Sequence, residues 1–334
     1  MPTLSHDDPA PELWLVVPCY NEQEVLPITS RVLAGKMQAL AGEGLISPSS
    51  RVLLVDDGSS DGTWDIVRAL HEDRTAPGLF AGIRFAHNEG HQNALYAGLM
   101  HALDQGCDCA VSLDADLQDD VDAIDLMIDQ HAHGSEIVYG VRDNRDTDTG
   151  FKRWSARSYY RLLERMGIEI VYDSADYRLM GRRSLAALSR YDEVNLFLRG
   201  IVPSLGFETS KVYYKRGARA AGESKYPLRK MIDFAIEGVT SFSVRPMRLI
   251  AKAGLFAVLV SFAILVYVIA SVLANHVVSG WASTILSIWF IGGALMVSLG
   301  VTGEYVGKTY LESKRRPRYV IAEELDGGKP SPSR

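Results

Sequence analysis

Residues 253–303 contain no aspartate, glutamate, lysine or arginine, and this uncharged stretch restricts the fold more than any other feature of the chain. Two apolar runs, residues 253–274 and 277–303, lie within it and are separated by a short polar turn. Each run exceeds the ~20 residues that a helix needs to cross the hydrocarbon core of a bilayer. A buried helical hairpin in a soluble protein is the alternative, but two uncharged runs of this length disfavour it. We therefore expect two transmembrane helices within residues 253–306.

Lysine and arginine side chains flank the two runs, whereas the turn between them has none. The flanking cations are Arg229, Lys230, Arg245, Arg248 and Lys252 before the first run and Lys308, Lys314, Arg315, Arg316 and Arg318 after the second. Because cytoplasmic flanks of membrane helices are rich in lysine and arginine, we expect a multi-pass protein of the cytoplasmic (inner) membrane, with both termini in the cytosol. Residues 229–252 would form an amphipathic juxtamembrane region, and residues 307–334 a cytosolic tail. Residues 1–12 are polar, do not resemble a signal peptide and are expected to be disordered.

The composition argues against a nucleic-acid binding site and against a zinc site. The chain has 334 residues, a net charge of −6 and no strongly basic domain, so we expect no nucleic-acid ligand. Its three cysteines, Cys19, Cys107 and Cys109, all lie in the part expected to be cytosolic. In that reducing compartment all three are predicted to be free thiols. Cys107 and Cys109 have too few partners for a zinc site and are predicted to pack within a strand.

Segments typical of strands and of helices alternate from residue 13 to about residue 140. The predicted strands are residues 13–18, 51–56, 81–85, 109–113 and 137–140, and the predicted helices are residues 24–41, residues 62–73 with Asp61 as N-cap, and a third that ends at Leu103. This alternation predicts an α/β fold with a doubly wound, mostly parallel sheet, in a cytosolic domain over residues 13–228. Polar segments follow four of the strands, and ligands of such sheets bind beyond the carboxyl ends of the strands.

The acidic segment after the fourth predicted strand, residues 114–118 (DADLQ), indicates metal binding. In an extended chain every second side chain points the same way, so Asp114, Asp116 and Gln118 would present three oxygen-bearing groups to one point. Mg²⁺ and Mn²⁺ prefer such ligands together with phosphate oxygens of a substrate. The pattern therefore predicts a divalent-metal site for a diphosphate substrate. An acidic loop that caps the next helix is the alternative.

Six segments of the chain, taken in their order, carry a family resemblance. They are residues 17–22 (VPCYNE), 55–59 (VDDGS), 114–118 (DADLQ), 173–181 (DSADYRLMG), 197–200 (FLRG) and 222–226 (GESKY). The set resembles family 2 glycosyltransferases with a GT-A fold, and within them the polyprenyl-phosphate branch of bactoprenol-phosphate glucosyltransferases and dolichol-phosphate mannose synthases. The resemblance implies an inverting transfer of a hexose from a nucleotide sugar to polyprenyl phosphate, with Mg²⁺ or Mn²⁺ as cofactor.

The resemblance also implies roles for individual residues. Those implied in nucleotide-sugar binding are Pro18, Tyr20, Asn21, Glu22, Asp57, Asp114 and Lys225, and those implied in binding the acceptor phosphate are Arg142, Arg157 and Arg199. Asp114, Asp116 and Gln118 would hold the metal, and Asp116 and Asp176 would be catalytic. Because a phosphate monoester with a second pKa near ~6 is already largely ionised at neutral pH, Asp176 has little need to act as a base. It would instead orient the acceptor or adjust the metal site, or only pair with Arg178.

Several alternatives stay open at the level of sequence. Glucose from UDP-glucose is the leading prediction, and mannose from GDP-mannose or another UDP-sugar, such as an aminoarabinose derivative, is the alternative. A processive polysaccharide synthase is disfavoured, because its Gln-x-x-Arg-Trp motif would need glutamine where this chain has Gly150. A membrane scaffold or pseudoenzyme is disfavoured by the intact acidic segment. Small residues in the second apolar run allow close helix packing and predict a homo-oligomer such as a tetramer. They are Gly292, Gly293, Ser298, Gly300 and Gly303.

Overall fold

The computed structural model describes residues 9–143, 174–193, 196–215, 245–273 and 280–325. Within these ranges the helices are α1 (Leu26–Gly42), α2 (Thr63–His71), α3 (His91–Gln105), α4 (Ala123–Ala132), α5 (Arg182–Leu188), α6 (Leu198–Ser204), α7 (Arg245–Leu273) and α8 (Trp281–Ser313). The strands are β1 (Leu13–Cys19), β2 (Arg51–Asp56), β3 (Phe80–Phe85), β4 (Cys109–Ser112), β5 (Ile137–Arg142), β6 (Ser174–Gly181), β7 (Thr209–Tyr214) and β8 (Ile321–Leu325). The five predicted strands agree with β1 to β5 to within two residues at each end.

The described strands form a single mixed sheet in the order β7-β5-β6-β4-β1-β2-β3-β8. β1 to β4 are parallel to their neighbours among themselves, as the alternation of strands and helices predicted. β6, however, lies antiparallel between β4 and β5, and β8 lies antiparallel beside β3. The sheet is therefore of the GT-A-like mixed type. Because β6 is antiparallel, its first residues lie beside the carboxyl end of β4.

Helix α3 packs closely against the centre of the sheet at Gly98. A Cβ atom at this position would lie 2.3 Å from Cγ1 of Val16 in β1 and 2.8 Å from Cγ2 of Val55 in β2. The missing side chain thus permits a helix-to-sheet approach that any larger residue would prevent. This approach fixes α3, whose first residue, His91, follows the loop after β3.

The start of α2 differs slightly from the prediction. Gly62, and not Asp61, occupies the N-cap position. Asp61 lies one residue earlier, and its Oδ1 accepts hydrogen bonds from the Thr63 backbone nitrogen at 3.0 Å and from the Thr63 hydroxyl at 2.6 Å. The carboxylate therefore still satisfies a backbone donor of the first turn, which is the physical purpose of a cap.

Two expectations about the N-terminal part of the chain have different outcomes. The three cysteines are free, as predicted, and the expected packing of Cys107 and Cys109 is confirmed because both are buried; Cys19 is buried as well. Glu12, expected to be disordered, instead belongs to the folded domain. Its backbone nitrogen donates to Oδ2 of Asp108 at 2.8 Å, and its Oε1 accepts from Nε1 of Trp14 at 2.9 Å.

The chain divides into two compact units. The first contains Met1–Arg161, Glu169–Pro227 and Pro317–Arg334, and the second contains Leu162–Ile168 and Leu228–Arg316. Helices α7 and α8 belong to the second unit. Among the described residues, one stretch, Phe290–Ser313 of α8, is both long and apolar enough to span a membrane. The other predicted span stays a prediction.

Candidate active site

The loops at the carboxyl ends of β1, β2, β3 and β4 contact one another at one edge of the sheet. The loop after β1 bonds to the loop after β2, which bonds to the loop after β3 (residues 86–90, the β3–α3 loop). His91, directly after that loop, approaches Asp114, which follows β4. These contacts follow from the parallel order of the four strands, because parallel neighbours end at the same edge.

Asn21 ties the first two loops together. Its backbone has φ +54°, a left-handed conformation that asparagine tolerates better than most residues. Its backbone nitrogen donates to the Ser59 hydroxyl at 2.9 Å, and its Oδ1 accepts from the Ser60 backbone nitrogen at 2.9 Å. Next to it, the Glu22 nitrogen donates to the Thr63 hydroxyl at 2.8 Å. Asn21 thus fixes the loop after β1 against the loop after β2.

Tyr20 and Pro18, the other two residues implied in nucleotide binding from this segment, have opposite surroundings. The side chain of Tyr20 is exposed and faces solvent, where a ligand can reach it. Pro18 is buried inside β1, in register with Val55 of β2. Of the two, only Tyr20 offers a side chain to a ligand from outside the sheet.

Asp57 holds the β3–α3 loop in place. Its two carboxylate oxygens accept from the backbone nitrogens of Glu89 at 2.7 Å and Gly90 at 2.9 Å. Burial raises the pKa of Asp57, while these two hydrogen bonds oppose the rise. Beside it, Gly58 has φ +66°, and a Cβ atom there would lie 2.6 Å from the backbone carbon of His87. The loops after β2 and β3 are therefore closely packed and leave no room for a side chain at position 58.

The acidic segment does not have the extended conformation that we predicted. β4 ends at Ser112, Asp116 lies in a turn, and Leu117 has φ +53°. Oδ1 of Asp116 accepts from the backbone nitrogen of Gln118 at 3.1 Å, a local bond that stabilises the turn. The alternation argument for three aligned side chains was therefore wrong. The turn nevertheless lies beyond the carboxyl end of β4, at the edge where the other loops meet.

His91 lies between two carboxylates and was not among the predicted site residues. Its Nε2 is 3.7 Å from Oδ1 of Asp114 and 3.5 Å from Oδ2 of Asp176. Burial alone would lower the pKa of His91, but the contacts with Asp176 and Asp114 raise it overall. Its position directly after a polar loop was the sequence signal that could have identified it.

Asp176 is surrounded by hydrogen-bond donors. Oδ1 accepts from Nη2 of Arg178 at 2.7 Å and from Nε of Arg199 at 3.2 Å. Oδ2 accepts from Nη2 of Arg199 at 3.0 Å and from Nε2 of Gln92 at 3.4 Å, and His91 approaches the same oxygen. A carboxylate has about four acceptor positions. These donors therefore account for all of them, and the side chain is 7% exposed.

The same surroundings set the charge of Asp176. Burial alone would raise the pKa of a carboxyl group, but Arg199, His91 and Arg178 hold the pKa of Asp176 well below its ordinary value. Asp176 is thus ionised and bound to two guanidinium groups, one of them buried (Arg178) and one partly exposed (Arg199). The pairing of Asp176 with Arg178, considered from the sequence as an alternative, is present together with the contact to Arg199.

Arg142, another predicted acceptor-binding residue, belongs to a different cluster. Its Nη2 donates to Oδ1 of Asp119 at 3.3 Å, and its Nε donates to the Tyr214 hydroxyl at 3.2 Å. The Tyr214 hydroxyl donates to the same Asp119 oxygen at 2.5 Å. Asp119 is buried and follows the acidic turn by one residue, so this cluster fixes the turn to β5 and β7. Lys225 and Arg157 lie outside the described residues.

The acidic turn fits a divalent cation chemically. Enclosure raises the pKa of Asp114, and the neighbouring carboxylates of Asp119, Asp176 and Asp116 raise it further, while His91 opposes them. Among the described residues, no three His, Cys, Asp or Glu side chains form a metal cage on their own. Mg²⁺ does not need such a cage, since it usually binds one or two carboxylates plus substrate phosphates. Asp114, Asp116 and Gln118 supply oxygen donors of that kind.

Strands β2 to β6 of the GT-A-like mixed sheet and the acidic turn after β4 all lie within the part of the chain that a family model matches. Residues 14–188 match the family model described as Glycosyl transferase family 2. The chain belongs to this family, as its similarity to full-length relatives also requires.

Two curated relatives cover nearly the whole chain. The uncharacterized glycosyltransferase YkoT of Bacillus subtilis (strain 168) is 47% identical over 324 residues, which are 96% of this chain and 94% of the relative. The bactoprenol glucosyl transferase of Shigella phage SfV is 35% identical over 325 residues, which are 93% of this chain and 98% of the relative. Among solved structures, glucosyl-3-phosphoglycerate synthase from Mycobacterium tuberculosis is a distant likeness. It has 15% identity and a TM-score of 0.43 and covers 70% of this chain and 79% of that one.

Proposed function

We propose that this glycosyltransferase moves glucose from UDP-glucose onto a polyprenyl phosphate, with inversion at the anomeric carbon. The product would be a lipid-linked monophosphosugar for the modification of cell-envelope glycans. One observation carries the proposal: His91 lies between Asp114 of the acidic turn and the Asp176–Arg199 pair. A turn suited to a divalent cation, which would bind the donor diphosphate, and a cationic group for a second phosphate are then adjacent. The name of the SfV phage relative supports glucose and bactoprenol over GDP-mannose.

The donor side is built by the loops after β1, β2 and β4. We assign the base and ribose to the surface formed by Tyr20, Asn21, Glu22 and Asp57, where Tyr20 is exposed. A divalent cation held by Asp114, Asp116 and Gln118 would supply positive charge to the leaving diphosphate, which gains negative charge as the glycosidic bond breaks. Lys225 is proposed to reach the same phosphates as a point charge.

The acceptor side is assigned to Arg199, whose side chain is about one-third exposed while Asp176 holds its Nε and Nη2. Guanidinium groups bind phosphate oxygens in a defined geometry, and Asp176 fixes that geometry in advance. Because its acceptor positions are occupied, we assign Asp176 to positioning and not to proton removal. The acceptor phosphate, already ionised near neutral pH with a second pKa near ~6, attacks the anomeric carbon directly. Arg157 is proposed as a second acceptor contact, and Arg142 acts through the acidic turn.

A membrane location would bring the enzyme to its lipid acceptor. We propose that α7 and α8 are two transmembrane helices, with the cytosolic flanks expected from their cations. Large apolar side chains are exposed on both helices, as a lipid or helix contact requires; they include Leu255, Phe262, Phe290 and Met296. Nothing lies within 4 Å of the space that a Cβ would take at Gly292, Gly293, Gly300 and Gly303, which leaves α8 open to a second helix in a homo-oligomer.

A donor screen tests the proposal. The purified full-length chain is incubated with short polyprenyl phosphates and radiolabelled UDP-glucose, UDP-galactose or GDP-mannose, with Mg²⁺, Mn²⁺ or EDTA. We expect label in the lipid fraction with UDP-glucose and either metal, and none with EDTA. Lipid labelling by GDP-mannose alone would show that mannose, and not glucose, is transferred. Labelling that persists in EDTA would contradict the proposed need for a metal.

Matched variants tie the activity to the acidic turn. Asp116→Ala should lower kcat by about 10²-fold or more, the usual cost of removing charge stabilisation from a transition state. Asp104→Ala, a change of the same type at an exposed position of α3, should keep wild-type turnover. Near-normal turnover of a folded Asp116→Ala enzyme would contradict the metal assignment.

A further inference from the structure

The segment after the second apolar helix returns to the catalytic domain. Residues 317–325, here called the tail segment, lie beyond the family match over residues 14–188 and follow α8 after residues 314–316. Its strand β8 pairs antiparallel with β3, with Phe85 opposite Ile321 and Gly82 opposite Leu325. From sequence, this part was expected to be only a cytosolic tail. In the fold it supplies β8, the outermost strand of the sheet beside β3.

The first half of the tail segment contacts the beginning of the β3–α3 loop. The ring of Tyr319 stacks on the buried ring of Phe85, with centroids 5.0 Å apart and planes inclined by 7°. The backbone nitrogen of Ala86, the first residue of the loop, donates to the carbonyl oxygen of Val320 at 2.9 Å. The tail segment therefore fixes the point at which the chain leaves β3.

Arg318 contacts the helix at the other end of the same loop. Its guanidinium carbon lies 4.5 Å from the ring centroid of Tyr96, a buried residue of α3, and it also donates to the carbonyl oxygen of Tyr191. A cation over an aromatic face is attracted by the electron-rich ring. Arg318 and Tyr319, two neighbours in sequence, thus hold both elements that the β3–α3 loop connects.

That loop carries the groups that assemble the donor site. The backbone nitrogens of Glu89 and Gly90 bind the carboxylate of Asp57. His91, the next residue, approaches Asp114 and Asp176. A displacement of the loop would therefore move the proposed nucleotide surface, whereas Arg199 of the acceptor side is held by Asp176 in β6 and not by the loop.

The second half of the tail segment has contacts of a different kind. The carboxylate of Glu323 accepts from Nε1 of Trp64 at 2.9 Å and from Nη2 of Arg68 at 3.1 Å. Both partners belong to α2, and neither touches the β3–α3 loop in these contacts. Glu323 anchors the same strand without bracing the loop, so it provides a matched control.

We propose that Arg318 and Tyr319 are positioning residues for the nucleotide-sugar site, which they serve by bracing the β3–α3 loop from its two ends. The proposal rests on the donor site described under the proposed function. It assigns the first half of the tail segment, and not Glu323 in its second half, to the support of the donor site. The ligand whose binding depends on it is a nucleoside diphosphate or its sugar, and not the lipid phosphate.

The test compares Tyr319→Ala, Arg318→Ala and Glu323→Ala in the full-length protein. We expect the Kd for UDP, measured calorimetrically with Mn²⁺, to rise about tenfold in Tyr319→Ala, the upper range for loss of an aromatic pair. KM for UDP-glucose should rise in parallel, while KM for polyprenyl phosphate stays within about twofold of wild type. Tyr319→Phe, which keeps the ring, should give a Kd for UDP closer to wild type than Tyr319→Ala does. Glu323→Ala should leave the Kd for UDP unchanged.

Hydrogen exchange gives a readout that does not depend on nucleotide or turnover. The amides of Ala86, Glu89 and Gly90 should exchange faster in Tyr319→Ala and Arg318→Ala than in Glu323→Ala. Equal exchange in the three variants, or a Kd for UDP equal to that of Glu323→Ala, would overturn the proposal. If Tyr319→Ala does not fold, Tyr319→Leu decides by the same two measurements. Failure of the wild type to bind UDP would instead refute the proposed function, and the exchange rates would still decide whether the loop is braced.

Discussion

At the scale of single residues, Asp176 illustrates how surroundings decide a role. A carboxylate near a reacting phosphate is an obvious candidate for a base. Here its oxygens accept from Arg178, Arg199 and Gln92, and its pKa is held well below the ordinary value because the nearby cations outweigh burial. An ionised group with no acceptor position left is suited to holding cations in place. Its contribution is the orientation of Arg199.

Replacing Asp176 by asparagine should therefore destabilise the protein. Asp176→Asn leaves Arg178, which is 2% exposed, without its charge partner, and breaking a buried pair costs about 3 to 5 kcal/mol. Because the native pKa is lowered, this contribution is present above the unfolded value of about 3.9 and is lost as pH falls further through the native pKa. Denaturant titrations in detergent should show the full difference at pH 7 and a smaller one below about pH 4. The exposed control Asp104→Asn should match wild type, and an equally stable Asp176→Asn would contradict the role.

The sequence also locates the acidic turn but not its shape. The order of Asp114, Asp116 and Gln118 after a buried strand was readable from residue types alone. Leu117 at φ +53° was not, because leucine carries no signal for a left-handed conformation. That turn is fixed by the bond from the Gln118 nitrogen to Asp116 and by the packing of Asp119 against Arg142 and Tyr214.

At the scale of elements, α3 connects the sheet to the site. Its glycine at position 98 lets the helix approach β1 and β2, and its first residue stands between two carboxylates. The predicted end of this helix at Leu103 is two residues short of the observed end at Gln105. Its function as a support for the site follows from contacts between residues that are far apart in sequence. The pattern of neighbouring residues does not predict such contacts.

Enlarging Gly98 should disturb this support. Gly98→Ala places a methyl group 2.3 Å from Cγ1 of Val16, and overpacking a close contact costs about 1 to 3 kcal/mol. Gly35→Ala in α1 meets nothing within 4 Å, and it should instead stabilise the protein by about 0.5 to 1 kcal/mol through helix propensity. Thermal unfolding of the two variants beside wild type measures both shifts. A Gly98→Ala protein as stable as Gly35→Ala would mean that α3 can move away from the sheet at little cost.

At the scale of the whole molecule, the apolar helices separate two stretches of one folded unit. The first unit contains residues on both sides of α7 and α8 in sequence, since β8 follows α8 and pairs with β3. In the proposed topology both connections are cytosolic, because a strand that completes a cytosolic sheet must itself be cytosolic. The pairing of β8 is thus independent support for an even number of membrane crossings between residues 245 and 317.

Cysteine labelling tests that topology. The native cysteines are buried, so the background is low. A membrane-impermeant maleimide should label Ser279→Cys, in the predicted external turn, in intact spheroplasts. It should label Ser49→Cys, at an exposed position of the domain proposed to be cytosolic, only after permeabilisation. Labelling of Ser49→Cys in intact spheroplasts would mean that the orientation is the reverse of the proposed one. Protection of both sites would argue that α7 and α8 do not cross the membrane.

The sequence by itself determined the parallel core of β1 to β4, the acidic segment, the uncharged C-terminal runs and the family. These are local properties, because strand periodicity, charge and motif order are written in consecutive residues. The tertiary structure alone decided that β6 is antiparallel and brings Asp176 beside Asp114, that His91 stands between them, and that the tail segment completes the sheet. Each of these depends on pairing between residues far apart in the chain, and no pattern of neighbouring residues specifies such a pairing.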